Sequence, residues 1–373
     1  MRGIYFTTMC NIEDPNDNDN PGIKEKIKYQ YKSFQNAGID MQFFYAHKKS
    51  KAYRYINRLP LYRDNYDTPD TVSKADFIYL RKPSTINMGF IDFLRRIRKL
   101  NPTLKIMLEI PTYPYDNEIQ GVVRMPLKYK DKYARKKLHK YVDVVLTYSN
   151  DSEIFGIQAI NISNGVNTEI AANYLKKYQC LDDGVVRFMA CAKFNLWHGY
   201  DRAIEGLYSY LKDPHAKTKV EIEMVGDGES LASYKKLVDQ YGLHQYVKFH
   251  GRLQGEELGK MYSICDIGFD SMGRHRSGVY YNSSLKGKEY AAYGLMIVSG
   301  VETELDHVDD FDYYFRIPAD DSPVDFNSVL AFYKKQLDRS KEKTIVRKTI
   351  AQYAKDHFDI SVVFRPVIDY LFS

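Results

Sequence analysis

The stretch VVRFMACAKFNLWHGYDRAIEGLYSYLKD (185–213) decides the fold. VVRFMAC (185–191) is a short, nearly continuous apolar run, as a strand buried on both faces requires, and residues 199–212 follow with helical period. The alternation then repeats. VEIEMVG (220–226) precedes a helix at 229–241, YVKFHG (246–251) one at 255–263, ICDIGFD (264–270) one at 284–293, and LMIVSG (295–300) ends the series. Strand and helix alternating at this spacing form a doubly wound parallel sheet. The N-terminal half reads the same way: GIYFTT (3–8) before a helix from Ile23 to Ala37, then MQFFYA, ADFIYL before Gly89 to Leu100, LKIMLEI and VDVVLTY. Ile23, Ile27, Tyr31 and Phe34 share one face of the first helix. NISNGVNTE (161–169) and the polar stretch to Asp183 separate two Rossmann-like α/β domains, expected at 1–168 and 169–356, and a helix at about 357–373 is expected to cross back to the first.

At 373 residues the chain is long enough for two such domains, each with its own core. Its 33 Tyr and 19 Phe argue against disorder, and a net charge of +6 gives mild attraction to phosphate without the basic excess of a nucleic-acid binder, so no nucleic-acid partner is expected. Cys10, Cys180, Cys191 and Cys265 form no CxxC pair, and no His cluster has metal spacing, which points to a reduced, cytoplasmic protein. No run approaches the roughly 20 apolar residues that span a bilayer, so any membrane contact is expected to be peripheral.

Four segments carry candidate chemistry. The polar loop from Cys10 runs to Gly22 at a helix start, where unpaired N–H groups would meet a phosphate; otherwise it is a surface loop. MVGDGES (224–230) places Gly226 and Gly228 between strand and helix, but Leu231 stands where a dinucleotide fingerprint has its third Gly, so either a tight turn or ligand contact is open. In CAKFNLWHGYDR, Lys193 leaves a strand end and His198 precedes a helix, two prospective cations for a diphosphate. In YYNSSLKGKEYAAYGL, Ser283 or Ser284 caps a helix whose first N–H groups suit a phosphate, and Glu289 can accept from sugar or ribose hydroxyls.

AKFNLWHGYDR, VGDGE, YVKFHGRL, ICDIGFD and SSLKGKEYAAYGL, in that order over most of 185–300, resemble the retaining glycosyltransferases of family 4, which have two facing Rossmann-like domains, the GT-B architecture. The resemblance implies that Lys193 and His198 bind the donor diphosphate, with His198 standing where the family has Lys. It places Gly251 and Arg252 at the nucleobase, Ser284 and Leu285 at the phosphates, and Glu289 at the ribose. The family's second Glu, which contacts the donor sugar, is replaced here by Tyr281. FIYLRKP and LEIPTYPYDNE look like a bacterial polysaccharide-biosynthesis subgroup, with Tyr115 or Asp116 in the region where relatives carry a His.

The implied reaction is sugar transfer from a UDP- or GDP-linked donor to a glycan or lipid-linked acceptor with retention of configuration. The acceptor would occupy the N-terminal domain, and neither metal nor cofactor is implied. A catalytically silent nucleotide-sugar-binding protein is the alternative, motivated by Tyr281, while the glycine pattern disfavours a nicotinamide oxidoreductase. RMPLKYKDKYARKKLHK (124–140) sets eight Lys or Arg against one Asp. With Tyr129, Tyr133, Leu138 and Tyr141 as an apolar side, it reads either as an interfacial helix drawn to the anionic inner face of a membrane or as a solvated basic face.

Overall fold

The computed structural model describes residues 1–373 except 18–20, 47–52, 60–61, 117–120, 178–180 and 341. Cys180 lies outside the described residues; Cys10, Cys191 and Cys265 are free thiols. The chain divides into two compact units, 1–163 with 363–373, and 164–362.

The first unit contains β1 (Arg2–Thr7), α1 (Pro21–Asn36), β2 (Asp40–Tyr45), α2 (Tyr53–Ile56), β3 (Phe77–Arg81), α3 (Met88–Leu100), β4 (Lys105–Ile110), α4 (Met125–Arg135), β5 (Val144–Thr147), β6 (Glu153–Ile154) and β7 (Ile157–Asn161). Its sheet runs β2-β1-β3-β4-β5-β7-β6, parallel except for the β6–β7 pair. The continuous apolar runs feed both faces, because successive side chains alternate across a strand. Tyr5, Tyr79 and Leu146 face one way, onto Ile27 and Phe34 of α1. Phe6, Ile78 and Leu80 face the other, onto Phe90, Phe93 and Ile97 of α3. Asn87 starts α3 by accepting from the N–H of Gly89 at 2.9 Å.

The second unit contains α5 (Thr168–Lys177), β8 (Val185–Lys193), α6 (Tyr200–Lys212), β9 (Lys219–Asp227), α7 (Leu231–Tyr241), β10 (Val247–Gly251), α8 (Gly255–Ile264), β11 (Ile267–Phe269), α9 (Leu285–Ala292), β12 (Met296–Ser299), β13 (Tyr314–Arg316), α10 (Phe326–Ser340), α11 (Lys343–Phe358) and α12 (Ile360–Val363). The all-parallel sheet runs β10-β9-β8-β11-β12-β13. Counted from β8, that is the Rossmann order 3-2-1-4-5-6.

The last helix, α13 (Arg365–Phe372), has no strand to follow and belongs to the first unit. Phe364, Val367 and Leu371 complete the core under α1, with Phe364 edge-on to Phe34 at 5.0 Å. Truncating a buried Phe costs about 3–5 kcal/mol. Phe364→Ala is therefore expected to lower the protection of the first-unit strands by roughly 3 kcal/mol in native-state hydrogen exchange, which reads that unit locally. A loss below about 1 kcal/mol would show that α13 is dispensable to that core.

Candidate functional site

In the second sheet the chain leaves β8 toward one side and β11 toward the other, so the loops that follow them flank a topological switch point at the carboxyl ends. The two loops are tied together there. Met272 N–H donates to His198 O at 2.9 Å and Gly273 N–H to Trp197 O at 3.2 Å. The β9 loop packs against the same place: a Cβ on Gly226, at φ +136°, would lie 1.8 Å from Ala192 O, and one on Gly228, at φ +153°, 2.3 Å from Phe194 O. The two glycines thus let the β8 and β9 backbones approach closely, as either reading of Gly226 allows.

Helix α9 begins at the rim of β11. Ser284 is its N-cap residue, but its hydroxyl donates to Asp270 Oδ1 at 2.5 Å, and no side chain caps the helix. The N–H groups of the first turn, from Leu285 on, keep their capacity to bind, and the helix dipole favours an anion there. Ser283 is otherwise engaged: it donates to Glu304 Oε1 at 3.0 Å and accepts from the N–H of Asn164 at 3.0 Å and from Lys288 Nζ. Lys288 is buried, and that burial pulls its pKa down while the adjoining Glu304 pulls it back.

The cations differ from the sequence expectation. His198 is buried, its Nδ1 accepts the Asn195 N–H at 3.0 Å, and burial beside Lys286 and Arg274 drives its pKa down to about 2. The expected cation at 198 is corrected to a neutral ring with its hydrogen on Nε2, a donor without charge. Positive charge comes instead from Lys286 and Arg274. Lys286 Nζ donates to Ser271 Oγ at 3.1 Å and stands 3.6 Å from Asp270 Oδ1; burial lowers its pKa, opposed by Asp270. The Arg274 guanidinium lies 5.7 Å from the centre of the Trp197 ring. Lys193 ends β8 as an exposed side chain.

Glu289 lies a turn and a half into α9, partly buried among Cys191, Tyr262 and Tyr293. Burial pushes its carboxyl up to about 7, against the pull of Lys286 and the Tyr262 hydroxyl. Gly251, at φ +66°, ends β10. Arg252 extends beside it into solvent, 3.6 Å from Asp227. Tyr281 pairs with Glu302 in an isolated bridge and stacks on His307 at 6.3 Å.

The second unit thus brings His198, Ser284, Leu285 and Glu289 around one switch point, with Lys193, Gly226, Gly251 and Arg252 along the adjoining strand ends. Gly22 is not among them; it is an exposed residue in the first turn of α1, in the first unit. Tyr115 is buried there with its hydroxyl on Asp131 Oδ1 at 2.7 Å, and Asp116 is held by both terminal nitrogens of Arg135. Sequence reasoning missed Lys286, Asp270 and Arg274. Lys286 had a signal, three residues before Glu289 and so on the same helix face. Among the described residues, no group of three or more His, Cys, Asp or Glu side chains gathers to hold a metal.

Neither a protein-family model nor a curated protein sequence matches the chain. Solved structures do. A glycosyltransferase from Rickettsia africae aligns over 99% of this chain and 97% of its own, at TM-score 0.62 and 11% identity. Sucrose-phosphate synthase from Thermosynechococcus elongatus aligns over 100% and 99%, at TM-score 0.64 and 15% identity. HepE from Anabaena, solved with UDP and glucose, aligns over 100% and 99%, at TM-score 0.60 and 11% identity. The fold of this chain is that of the GT-B glycosyltransferases, with two parallel-sheet Rossmann-like domains.

Proposed function

We propose that this chain is a retaining, metal-independent glycosyltransferase of family 4 that moves a sugar from a UDP- or GDP-linked donor to a glycan or lipid-linked acceptor in surface polysaccharide assembly. The observation that carries this is the meeting of the uncapped α9 terminus, Lys286, Arg274 and Glu289 at the β8–β11 switch point. The fold neighbours lend support, since HepE was solved with UDP and with UDP-glucose.

In this reading the α9 N–H groups and Lys286 hold the donor diphosphate, with Lys193 and Arg274 adding charge and His198 donating from Nε2. Glu289 accepts from the ribose hydroxyls. Charge that develops on the leaving diphosphate meets fixed donors already in place, so no protein nucleophile is needed. The departing phosphate oxygen takes the acceptor hydroxyl's proton on the same face of the sugar.

Helix α4 supplies a membrane contact in the same proposal. It ends at Arg135, and Leu138 turns into the core, so the expected apolar side is narrower than the sequence suggested. Met125, Tyr129 and Tyr133, four residues apart on one helix face, are exposed beside Lys128, Lys132 and Lys136. Such a basic aromatic face suits the headgroup region of an anionic membrane at the cytoplasmic surface.

Four measurements test these statements. Removing a charge-assisted bond costs roughly 1.5–3 kcal/mol. Lys286→Ala is expected to weaken UDP or GDP binding about 10- to 100-fold in calorimetry; unchanged affinity would remove the site. Glu289 is half protonated near pH 7, and hydroxyl donors need the carboxylate, so binding should tighten from pH 6 to 8 and release a proton. In Glu289→Gln that increment over the nucleotide's own titration should vanish, and its persistence would clear Glu289 of the role. Donor hydrolysis releasing UDP or GDP in EDTA separates the enzyme from a silent binder. For α4, co-sedimentation with phosphatidylglycerol vesicles should fall with salt and with Tyr129→Ser/Tyr133→Ser; equal binding to neutral vesicles would contradict it.

A further inference from the structure

The first unit has a switch point of its own. Its strand order β2-β1-β3-β4-β5 turns between β1 and β3, and a cavity of about 450 Å³ opens there. The volume is that of a small-molecule site. The segments after β1, β3 and β4 line it, and Leu127 of α4 and Arg124 just before that helix close one side. Its charged lining among the described residues is Arg81, Lys82 and Arg124, all cationic.

The surrounding charges reinforce that sign. Arg81 Nη1 bonds to the buried Glu109 at 2.8 Å, and Lys26 Nζ stands 3.5 Å from the same oxygen, so two cations share one carboxylate behind the cavity. The nearest carboxylates on the α4 side are engaged elsewhere. Asp131 accepts the Ile86 N–H and the Tyr115 hydroxyl, both at 2.7 Å, and Asp116 is held by Arg135. Asn57 Oδ1, also in the lining, is buried and accepts no hydrogen bond from a described residue. A ligand that fits brings several negative charges.

We propose that this cavity binds a diphosphate ester carried by the acceptor. The term acceptor rests on the glycosyltransferase reading; the anion site does not. One carboxylate would leave most of the cationic lining unmatched, whereas a diphosphate carries two or three charges to distribute over Arg81, Lys82 and Arg124. Arg124 and Leu127, at the start of α4, line the cavity, while Met125, Tyr129 and Tyr133 of the helix are exposed. An amphiphile can therefore place its headgroup in the cavity and its chain along α4.

Calorimetry on the full chain at low salt, with geranyl diphosphate, inorganic diphosphate and geraniol, tests this. Geranyl diphosphate is expected to bind, and Lys82→Gln and Arg124→Gln each to weaken it about tenfold, as loss of one charge-assisted bond does. Lys286→Gln, which alters the other anion site, should leave that affinity unchanged. Equal affinity for inorganic diphosphate supports the site with the diphosphate alone as its ligand; much tighter binding of the geranyl ester supports an amphiphilic one. Three results overturn the proposal: no binding of either diphosphate, equal binding of geraniol, or sensitivity to Lys286→Gln but not to Lys82→Gln or Arg124→Gln. UDP titrated in parallel keeps the two readings apart. Its failure to bind would remove the transferase assignment and leave the cavity result standing.

Discussion

The hydrogen bond from Ser284 to Asp270 is the contact on which the chemistry of the second unit depends. A serine at this position ordinarily turns back to cap its own helix. Asp270 is 1% exposed, and a buried carboxylate must be compensated. It takes the Ser284 hydroxyl at 2.5 Å, the Ser299 hydroxyl at 3.4 Å and the nearby Lys286 ammonium, and in doing so leaves the first turn of α9 uncapped. One buried charge thereby exposes the helix dipole and sets a cation next to it. On the other side, Lys288, Glu304 and Ser283 hold the segment entering α9. The two lysines, two residues apart, serve opposite faces of one helix.

Much of the fold was legible because its strands are buried on both faces and therefore read as unbroken apolar runs between helices of clear period. The sites at strand ends followed from the same pattern, since a parallel sheet delivers Lys193, Gly226 and Gly251 to one edge. What the sequence hides is protonation. His198 is a loop residue before a helix in the sequence, and only the folded chain sets it beside Lys286 and Arg274 and buries it, which removes its charge. Gly226 shows the same limit in another form. Its spacing fits a nucleotide loop or a turn, and the sequence does not show that a Cβ there would meet Ala192 O, 34 positions earlier.

The first-unit cavity was least legible of all, because its cations arrive from separate segments. Arg81 ends β3, Lys82 follows it and Arg124 stands just before α4; they belong to two separately quoted segments, FIYLRKP and RMPLKYKDKYARKKLHK, and neither points to the other. Their meeting is a product of strand order. Asp131, on the charged stretch 124–140, gives no sign in the sequence of being a core residue. In the fold it is 1% exposed and ties the loop after β3 and the Tyr115 loop to α4.

Both units use the same device. Near the carboxyl end of a central strand each buries a carboxylate, Glu109 in the first and Asp270 in the second, and each carboxylate holds a cation at the switch point, Arg81 or Lys286. Burial alone would push the Glu109 carboxyl up, but Arg81, Lys26 and the hydroxyls of Tyr148 and Tyr79 more than reverse it and keep it ionised. Desolvating such a group costs several kcal/mol unless its lone pairs are filled, and a well-packed apolar pair would often be as stable. Stability therefore does not account for the arrangement. A long flexible cation at a switch point would lose rotamer freedom on meeting an anion, and a carboxylate beneath it has already taken that loss. The buried acids in this fold make physical sense as fixtures that set cations in place ahead of a ligand.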